Sequence, residues 1–236
     1  MSSPVLEPRV RALIHMRDQL IAKAPSGDGH REHHEVVGEV RRLVDFAEAL
    51  HTLRTTRDPT QTDVAHQKRV LTAAVKFAKE TDAALARLNK SWATGYLNID
   101  ARIAAKVNLK PDAYAAEVRD LYRQMSSAEK AKFFTELVDE GRGSELAAIV
   151  KAPRAVTGMP EDQRQKYEAA FVARHAPDEV REQEALKETF DTALVVHREA
   201  RGLAAAYSDS AKLAEIERAE NAATAAQLRI DAQVRP

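Results

Sequence analysis

Apolar residues recur at helical spacing along most of the chain. Between residues 31 and 55 they step by four and three positions, at Val36, Val40, Leu43, Ala47 and Leu50. The same spacing continues between residues 178 and 207, at Leu186, Phe190, Ala193, His197, Ala200, Ala204 and Tyr207. One face of an α-helix produces this pattern. It predicts an all-α protein in which both segments are helices with one buried face.

Proline and glycine mark the ends of the predicted helices. Besides those two segments, we predict long helices over residues 5–24, 62–90 and 210–233, and shorter ones over 100–107, 126–140, 144–151 and 161–175. A further short helix is predicted to begin at Pro111 and to include Tyr122. Pro25–Gly29 is expected to be a flexible loop, 91–99 a turn containing Trp92, Gly95 and Tyr96, and 153–160 an irregular link. Asp58 should end the helix before it, because a residue that precedes proline resists the helical conformation.

The third helix carries an approximate heptad pattern, with apolar residues at Val64, Leu71, Val75, Ala78, Leu85 and Trp92. Residues 56–61 connect it to the second helix. A connection this short predicts an antiparallel helical hairpin.

The middle of the chain is predicted to form a compact module of short helices. Ser126 and Glu129 have the spacing of a capping box, which would open the helix that carries Phe133, Phe134 and Leu137. The helix before it has Tyr114, Val118, Leu121 and Tyr122 as its expected apolar set. Isolated helices of this length are unstable, so they must pack on other helices. We therefore divide the chain into 1–110, with the hairpin, 111–177, the module, and 178–236, with long C-terminal helices.

The last predicted helix has a thin apolar face. The face consists of Leu213, Ile216, Ala223 and Ile230. Only three of these residues are large, and charged residues surround them. A monomer would bury little area there, so the helix would fray alone. This pattern suggests a surface for a partner.

Composition excludes several kinds of chemistry. Cysteine is absent, and its absence excludes disulfides, thiolate metal sites and cysteine nucleophiles. Aromatic residues make up only 5% of the chain. No apolar run approaches the ~20 residues that a membrane span needs. The first ten residues have no apolar segment typical of a secretory signal. We expect a protein that is made in the cytoplasm and has no membrane span.

The net charge is zero, so binding to nucleic acid is not indicated. The charges are nevertheless unevenly distributed. Residues 61–110 carry nine Lys/Arg against four Asp/Glu, and residues 177–236 carry eight against twelve. The two segments could pack on each other, within one chain or between copies. Alternatively, each is a solvated helix face.

Two carboxylate–histidine pairs flank the predicted hairpin. Glu48 and His51 end one helix, and Asp63 and His66 begin the next. Such pairs hold two irons in ferritin-like bundles. Those bundles also need two further inward glutamates, which we cannot assign, and chance in a charge-rich hairpin explains the pairs better. We assign no metal site, and a metal-binding bundle remains an alternative.

No set of catalytic residues is recognisable. His30, His33 and His34 lack the spacing of a zinc-protease motif and indicate a solvated helix start. Glycine fingerprints for phosphate and Gly-x-Ser-x-Gly elbows are absent. His197 lies on a helix face, where a hydrogen-bonded imidazole is common, and Trp92 is interpreted as a packing residue. We predict a protein that is not an enzyme and uses no cofactor.

Three stretches between residues 122 and 163 carry a resemblance to a known group of proteins. Their sequences are YRQMSSAEK from Tyr122, ELAAIVKAP from Glu145 and TGMPEDQ from Thr157. They resemble segments of uncharacterised helical bacteriophage and prophage proteins that accompany virion structural genes. The resemblance implies a structural or assembly protein located in the virion, with other virion proteins and copies of itself as partners. The alternative is a host-directed adaptor that binds one cellular protein through residues 126–178.

Overall fold

The computed structural model describes residues 7–25 and 30–234. It is 86% helical, and the described residues form ten helices and no strand. The helices are α1 (Pro8–Lys23), α2 (Arg31–Thr55), α3 (Asp63–Val107), α4 (Ala115–Gln124), α5 (Ser127–Asp139), α6 (Gly143–Val150), α7 (Arg154–Thr157), α8 (Glu161–His175), α9 (Pro177–Tyr207) and α10 (Ser210–Val234). The all-α prediction is confirmed. Most of the predicted loop, residues 26–29, and the predicted helix start at Val5 lie outside the described residues.

Helix α3 is longer than predicted. It runs without interruption through residues 91–99, where we expected a turn. The expectation was wrong because Gly95 is tolerated inside a helix where its position is buried, and Trp92 stacks on Phe190 with ring centroids 5.0 Å apart. Ile99, Ile103 and Val107 then continue the buried face at helical spacing.

The buried face of α3 also lies at a different register. It is formed by Leu71, Ala74, Phe77, Thr81, Ala84 and Leu88. Val64, placed in the core by the sequence pattern, is 54% exposed, whereas Phe77 is fully buried and stacks on Phe46 at 4.7 Å. The sequence pattern placed valine and leucine on the buried face of α3, whereas Ala74, Thr81 and Ala84 occupy much of that face.

The chain forms two compact units. Met1–Ala93 and Glu188–Pro236 together form one, which we call the split unit, and Thr94–Lys187 forms the other, the inserted unit. This differs from the predicted division into 1–110, 111–177 and 178–236. Residues near the two ends of the chain belong to the same unit, because α9 supplies part of the core that α1, α2 and α3 begin.

The core of the split unit lies among α1, α2, α3 and α9. The predicted stripes on α2 and α9 are confirmed, since all their residues are less than a tenth exposed. Glu39 is buried and accepts a hydrogen bond from Arg87 Nε at 2.9 Å. Arg87 also pairs with Glu80, and the hydrogen bond to Glu39 raises the pKa of Arg87. Early α2 contacts the middle of α3, where Ser91 Oγ donates to Glu35 Oε2 at 3.0 Å, as an antiparallel hairpin requires.

In the inserted unit, α6 is the most deeply buried helix. Six of its eight residues are buried, so it is apolar on nearly all sides, as a helix enclosed by others must be. The predicted capping box of α5 is confirmed. Glu129 N–H donates to Ser126 Oγ at 3.4 Å, and Ser126 N–H donates to Glu129 Oε2 at 2.7 Å.

Two details of the inserted unit differ from prediction. Tyr114 and Leu121 are 70% and 52% exposed, because α4 buries the adjacent face, which carries Ala115 and Tyr122. The expected irregular link over 153–160 contains the one-turn helix α7, which ends at Gly158 with φ 69°. That left-handed conformation favours glycine.

Candidate functional site

The four candidate metal ligands do not assemble into a site. Glu48 pairs with Arg17 at 3.6 Å, and Asp63 pairs with Arg57 at 2.5 Å, so both carboxylates have cationic partners. His66 is half-buried, whereas His51 is only 4% exposed. Among residues 7–25 and 30–234, no group of three His, Asp or Glu side chains could hold a metal ion.

His51 has an unusual environment. Both ring nitrogens are buried and have no hydrogen-bond partner in the structure. A buried polar group without a partner loses its hydration without compensation. The spacing that suggested a metal ligand therefore marks a core position that an apolar residue would fill more favourably.

The histidines near the start of α2 differ in burial. His33 is buried, and its Nε2 lies 3.1 Å from the Thr189 hydroxyl of α9. His34 is exposed, and its ring lies edge-on to the His33 ring with the two centroids 6.5 Å apart. The sequence interpretation of a solvated helix start therefore holds for His34, whereas His33 belongs to the core.

His197 and Trp92 have the packing roles that we inferred. His197 Nε2–H donates to the backbone carbonyl of Thr81 at 3.0 Å, inside the split unit. This bond fixes the tautomer with the proton on Nε2. Trp92 stacks on Phe190.

Ion pairs join the oppositely charged segments within the chain. In the inserted unit, Arg102 pairs with Glu182 at 2.5 Å and Lys106 with Glu179 at 2.9 Å. The hydrogen bond from Lys106 lowers the pKa of Glu179. Of the two arrangements that the charge distribution allowed, packing within one chain accounts for these pairs.

A similar ion pair joins the middle of α10 to α3 in the split unit. Lys68 of α3 pairs with Glu220 of α10. The first turn of α10 is capped by Asp209, which accepts the Lys212 N–H at 2.9 Å. The ion pair and the half-buried Leu213 and Ile216 are the contacts by which the first half of α10 joins its unit.

An open groove of about 320 Å3 lies on the inserted unit. Its apolar lining comes from the end of α3, the segment after it and α8, namely Ile103, Ala104, Val107, Leu109 and Val172. The volume is at the lower end of the range for small-molecule sites.

The polar rim of the groove is balanced in charge. Lys110 and Asp100 are exposed, and Lys151 pairs with Glu168. Because cations and anions are equal in number, the rim does not select a ligand charge. Sequence reasoning missed this groove, since its residues come from segments far apart in the chain and share no motif.

Helix α10 exposes nearly all of its side chains. None of its described side chains is buried, and only Leu213 and Ile216 are half-buried. Leu228 is 64% and Ile230 53% exposed. Isolated helices of about 12–15 residues are marginal in water. The C-terminal half of α10 therefore gains little stability from burial within its own fold.

The comparisons with known proteins add no family. No protein-family model, curated protein or solved structure matches the chain. Among the described residues, no helix combines the length and apolarity that crossing a membrane requires.

Proposed function

We propose that this chain is a non-enzymatic assembly protein of a bacteriophage particle. It acts through helix contacts with copies of itself and with other virion proteins, and its place is in the virion. The observation that carries the proposal is the exposure of α10, a helix of 25 residues with no buried side chain in its described part.

Burial of apolar area is the main source of helix stability in folded proteins. The C-terminal half of α10 lacks that source within its own unit, and Leu228 and Ile230 project into solvent. A neighbouring molecule would bury these residues. Proteins of symmetric assemblies gain part of their apolar burial in this way.

The bacteriophage part of the proposal is supported by the resemblance over residues 122–163. In the structure these residues span α5, α6 and α7, with one end in α4 and the other in α8. Ala152 and Met159, within the resembling stretches, are buried. The resemblance thus includes core positions of a folded unit.

Two measurements test the proposal. Mass spectrometry of purified intact particles from cells that encode the chain should detect it at a fixed ratio to the capsid protein. Its absence from particles would overturn the virion role. Sedimentation equilibrium of the full chain should show self-association that increases with concentration, and a monomer at several hundred micromolar would overturn the contact between copies.

A host-directed adaptor is the second candidate, favoured by the groove and by the exposed Tyr114 and Leu121 of the inserted unit. Aromatic residues are enriched at protein interfaces. A pull-down from host lysate, with Leu121→Asp as a binding-defective variant, tests this function. One stoichiometric host protein that the wild type retains and the variant loses would support it.

A further inference from the structure

We infer that the partner of α10 is the α10 helix of a second copy, paired side by side in antiparallel orientation. The inference rests on the proposed function, because it names the copy as the partner and assigns the surface. The contact is made by a stripe that we call the α10 stripe, formed by Ile216, Ala219, Ala223, Ala226 and Ile230.

The α10 stripe has the spacing of a helix-pairing surface. Its residues alternate by three and four positions, as the core positions of a coiled coil do. The three alanines between the two isoleucines allow close approach of the helix backbones. Ile216 is half-buried in its own unit, but from Ala219 to Ile230 the stripe is exposed. The surface is therefore open to another helix over its C-terminal part.

Charges beside the stripe distinguish the two possible orientations. Glu215 and Arg229 flank it on one side, and Glu220 flanks it on the other. In an antiparallel pair, flanking residues on the same side meet each other, so Glu215 of one copy faces Arg229 of the second, twice by symmetry. In a parallel pair, opposite sides meet, and Glu215 would face Glu220. Antiparallel pairing brings opposite charges together, and parallel pairing brings like charges together.

The position of Glu220 is compatible with this arrangement. Its ion pair with Lys68 already holds it in its own copy. The antiparallel orientation also places the N-terminus of each helix beside the C-terminus of the other, which the helix dipoles favour. The pair therefore needs no rearrangement of the contact that anchors α10.

The contact is small, so the dimer is weak. Stable interfaces bury roughly 800 Å2 on each partner, and one pair of 25-residue helices with an alanine-rich stripe offers less. We expect a dissociation constant in the micromolar range or weaker. Higher local concentration, as in an assembling particle, would populate the pair.

Cysteine cross-linking measures the orientation directly, because the chain contains no cysteine. We would make Ile216→Cys and Ile230→Cys separately and treat each variant, and an equal mixture, with a short bismaleimide. In an antiparallel pair centred near Ala223, the two copies of position 216 lie about 21 Å apart along the helix axis. Only the mixture should then form cross-linked dimers in good yield. Efficient cross-linking within each single variant would overturn the antiparallel assignment.

Charge reversal supplies a second test with a matched control. Arg229→Glu should weaken dimerisation about 3- to 10-fold, and Glu215→Arg should do the same. The double variant should recover most of the wild-type affinity, because the two charges exchange places. Arg218→Glu makes the same charge change outside the flanking positions and should leave affinity within about 2-fold.

These outcomes separate the inference from the proposed function. If the chain self-associates but the mixture does not cross-link and the double variant does not recover, another surface joins the copies and the α10 assignment is wrong. If the chain stays monomeric at several hundred micromolar, both the assignment and the self-contact in the proposed function fail. Detection in particles is independent of either result.

Discussion

A short helix, α6, and a long one, α10, differ in burial in the opposite sense to their lengths. Helix α6 has eight residues, six of them buried, whereas α10 has 25 residues and no described side chain that is buried. Intrinsic helix propensity is higher for the alanine-rich α10 than for α6. Helix α6 is instead stabilised by its contacts with the rest of the inserted unit. The difference teaches that packing decides which helix is rigid. Substitutions of the same kind should have very different effects in the two regions.

The largest contrast is expected from one leucine truncation made in the core of the inserted unit, beside α6, and in α10. Leu137→Ala removes a fully buried side chain of α5 and should lower the free energy of unfolding by about 2–5 kcal/mol. Leu228→Ala removes a side chain that is 64% exposed and should change it by less than about 0.5 kcal/mol. Urea unfolding followed by circular dichroism measures both. Equal losses would mean that α10 belongs to the cooperative core of the monomer.

A smaller loss is expected from adding one methyl group at the first residue of α6. A Cβ at position 143 would lie 2.8 Å from the Val107 carbonyl oxygen and 3.2 Å from the Phe171 ring. Gly143→Ala should therefore destabilise the inserted unit by about 1–3 kcal/mol. Gly202→Ala in α9, where a Cβ meets nothing within 4 Å, is the control. It should be neutral or slightly stabilising, as alanine is favoured in helices.

The α5 cap should contribute less than the core contacts. Ser126→Ala removes the side-chain acceptor and should cost about 1 kcal/mol in urea unfolding. Ser126→Asp keeps an acceptor and should retain most of the stability. A loss larger than the effect of Leu137→Ala would show that the cap also organises the preceding chain.

The same cap predicts a pH dependence. Hydrogen bonds from Ser126 lower the pKa of Glu129. A carboxylate with a lowered folded-state pKa stabilises the fold above its unfolded pKa, about 4.3, and this contribution is lost as the pH falls through the folded value. NMR titration should place Glu129 below an ordinary glutamate, and Ser126→Ala should raise its pKa. An unchanged pKa in the variant would contradict the hydrogen-bonded geometry.

The smallest global effect is expected at the centre of α10. Ala223→Gly should reduce helicity locally, by about 1 kcal/mol of helix propensity, while global unfolding of dilute protein is unchanged. Hydrogen exchange should show that amides after Glu220 are weakly protected and lose protection first in the variant. At concentrations where copies pair, protection of wild-type α10 should increase. Strong protection in dilute monomer would remove the contrast between α6 and α10.

Local signals in the sequence predicted much of the fold. The bounds of α2 and α8 agree with those predicted, and the α5 cap depends on the four-residue pattern from Ser126 to Glu129. Each of these features is determined by residues close in the chain. The buried stripe of α9 also follows from periodicity alone.

Features that depend on distant residues were not predictable. Where α3 continues past its predicted end, Trp92 stacks on Phe190, which is nearly a hundred positions away. The face that α4 buries is determined by the helices that pack on it, α6 and α7, and Tyr114 lies outside that face. The groove gathers residues from the end of α3 to the start of α9. For the candidate metal pairs, spacing could not reveal that Arg17 and Arg57 engage the carboxylates.

The interrupted sequence of the split unit has a consequence for synthesis. Thr94–Lys187 leaves the ribosome as an uninterrupted segment and can fold as soon as it emerges, whereas α1, α2 and the first part of α3 must wait for α9. At about 5–20 residues per second, that wait lasts roughly 5 to 20 s. During this interval the part of the core that α9 covers is exposed to solvent, so the nascent chain is open to aggregation until α9 has been synthesised.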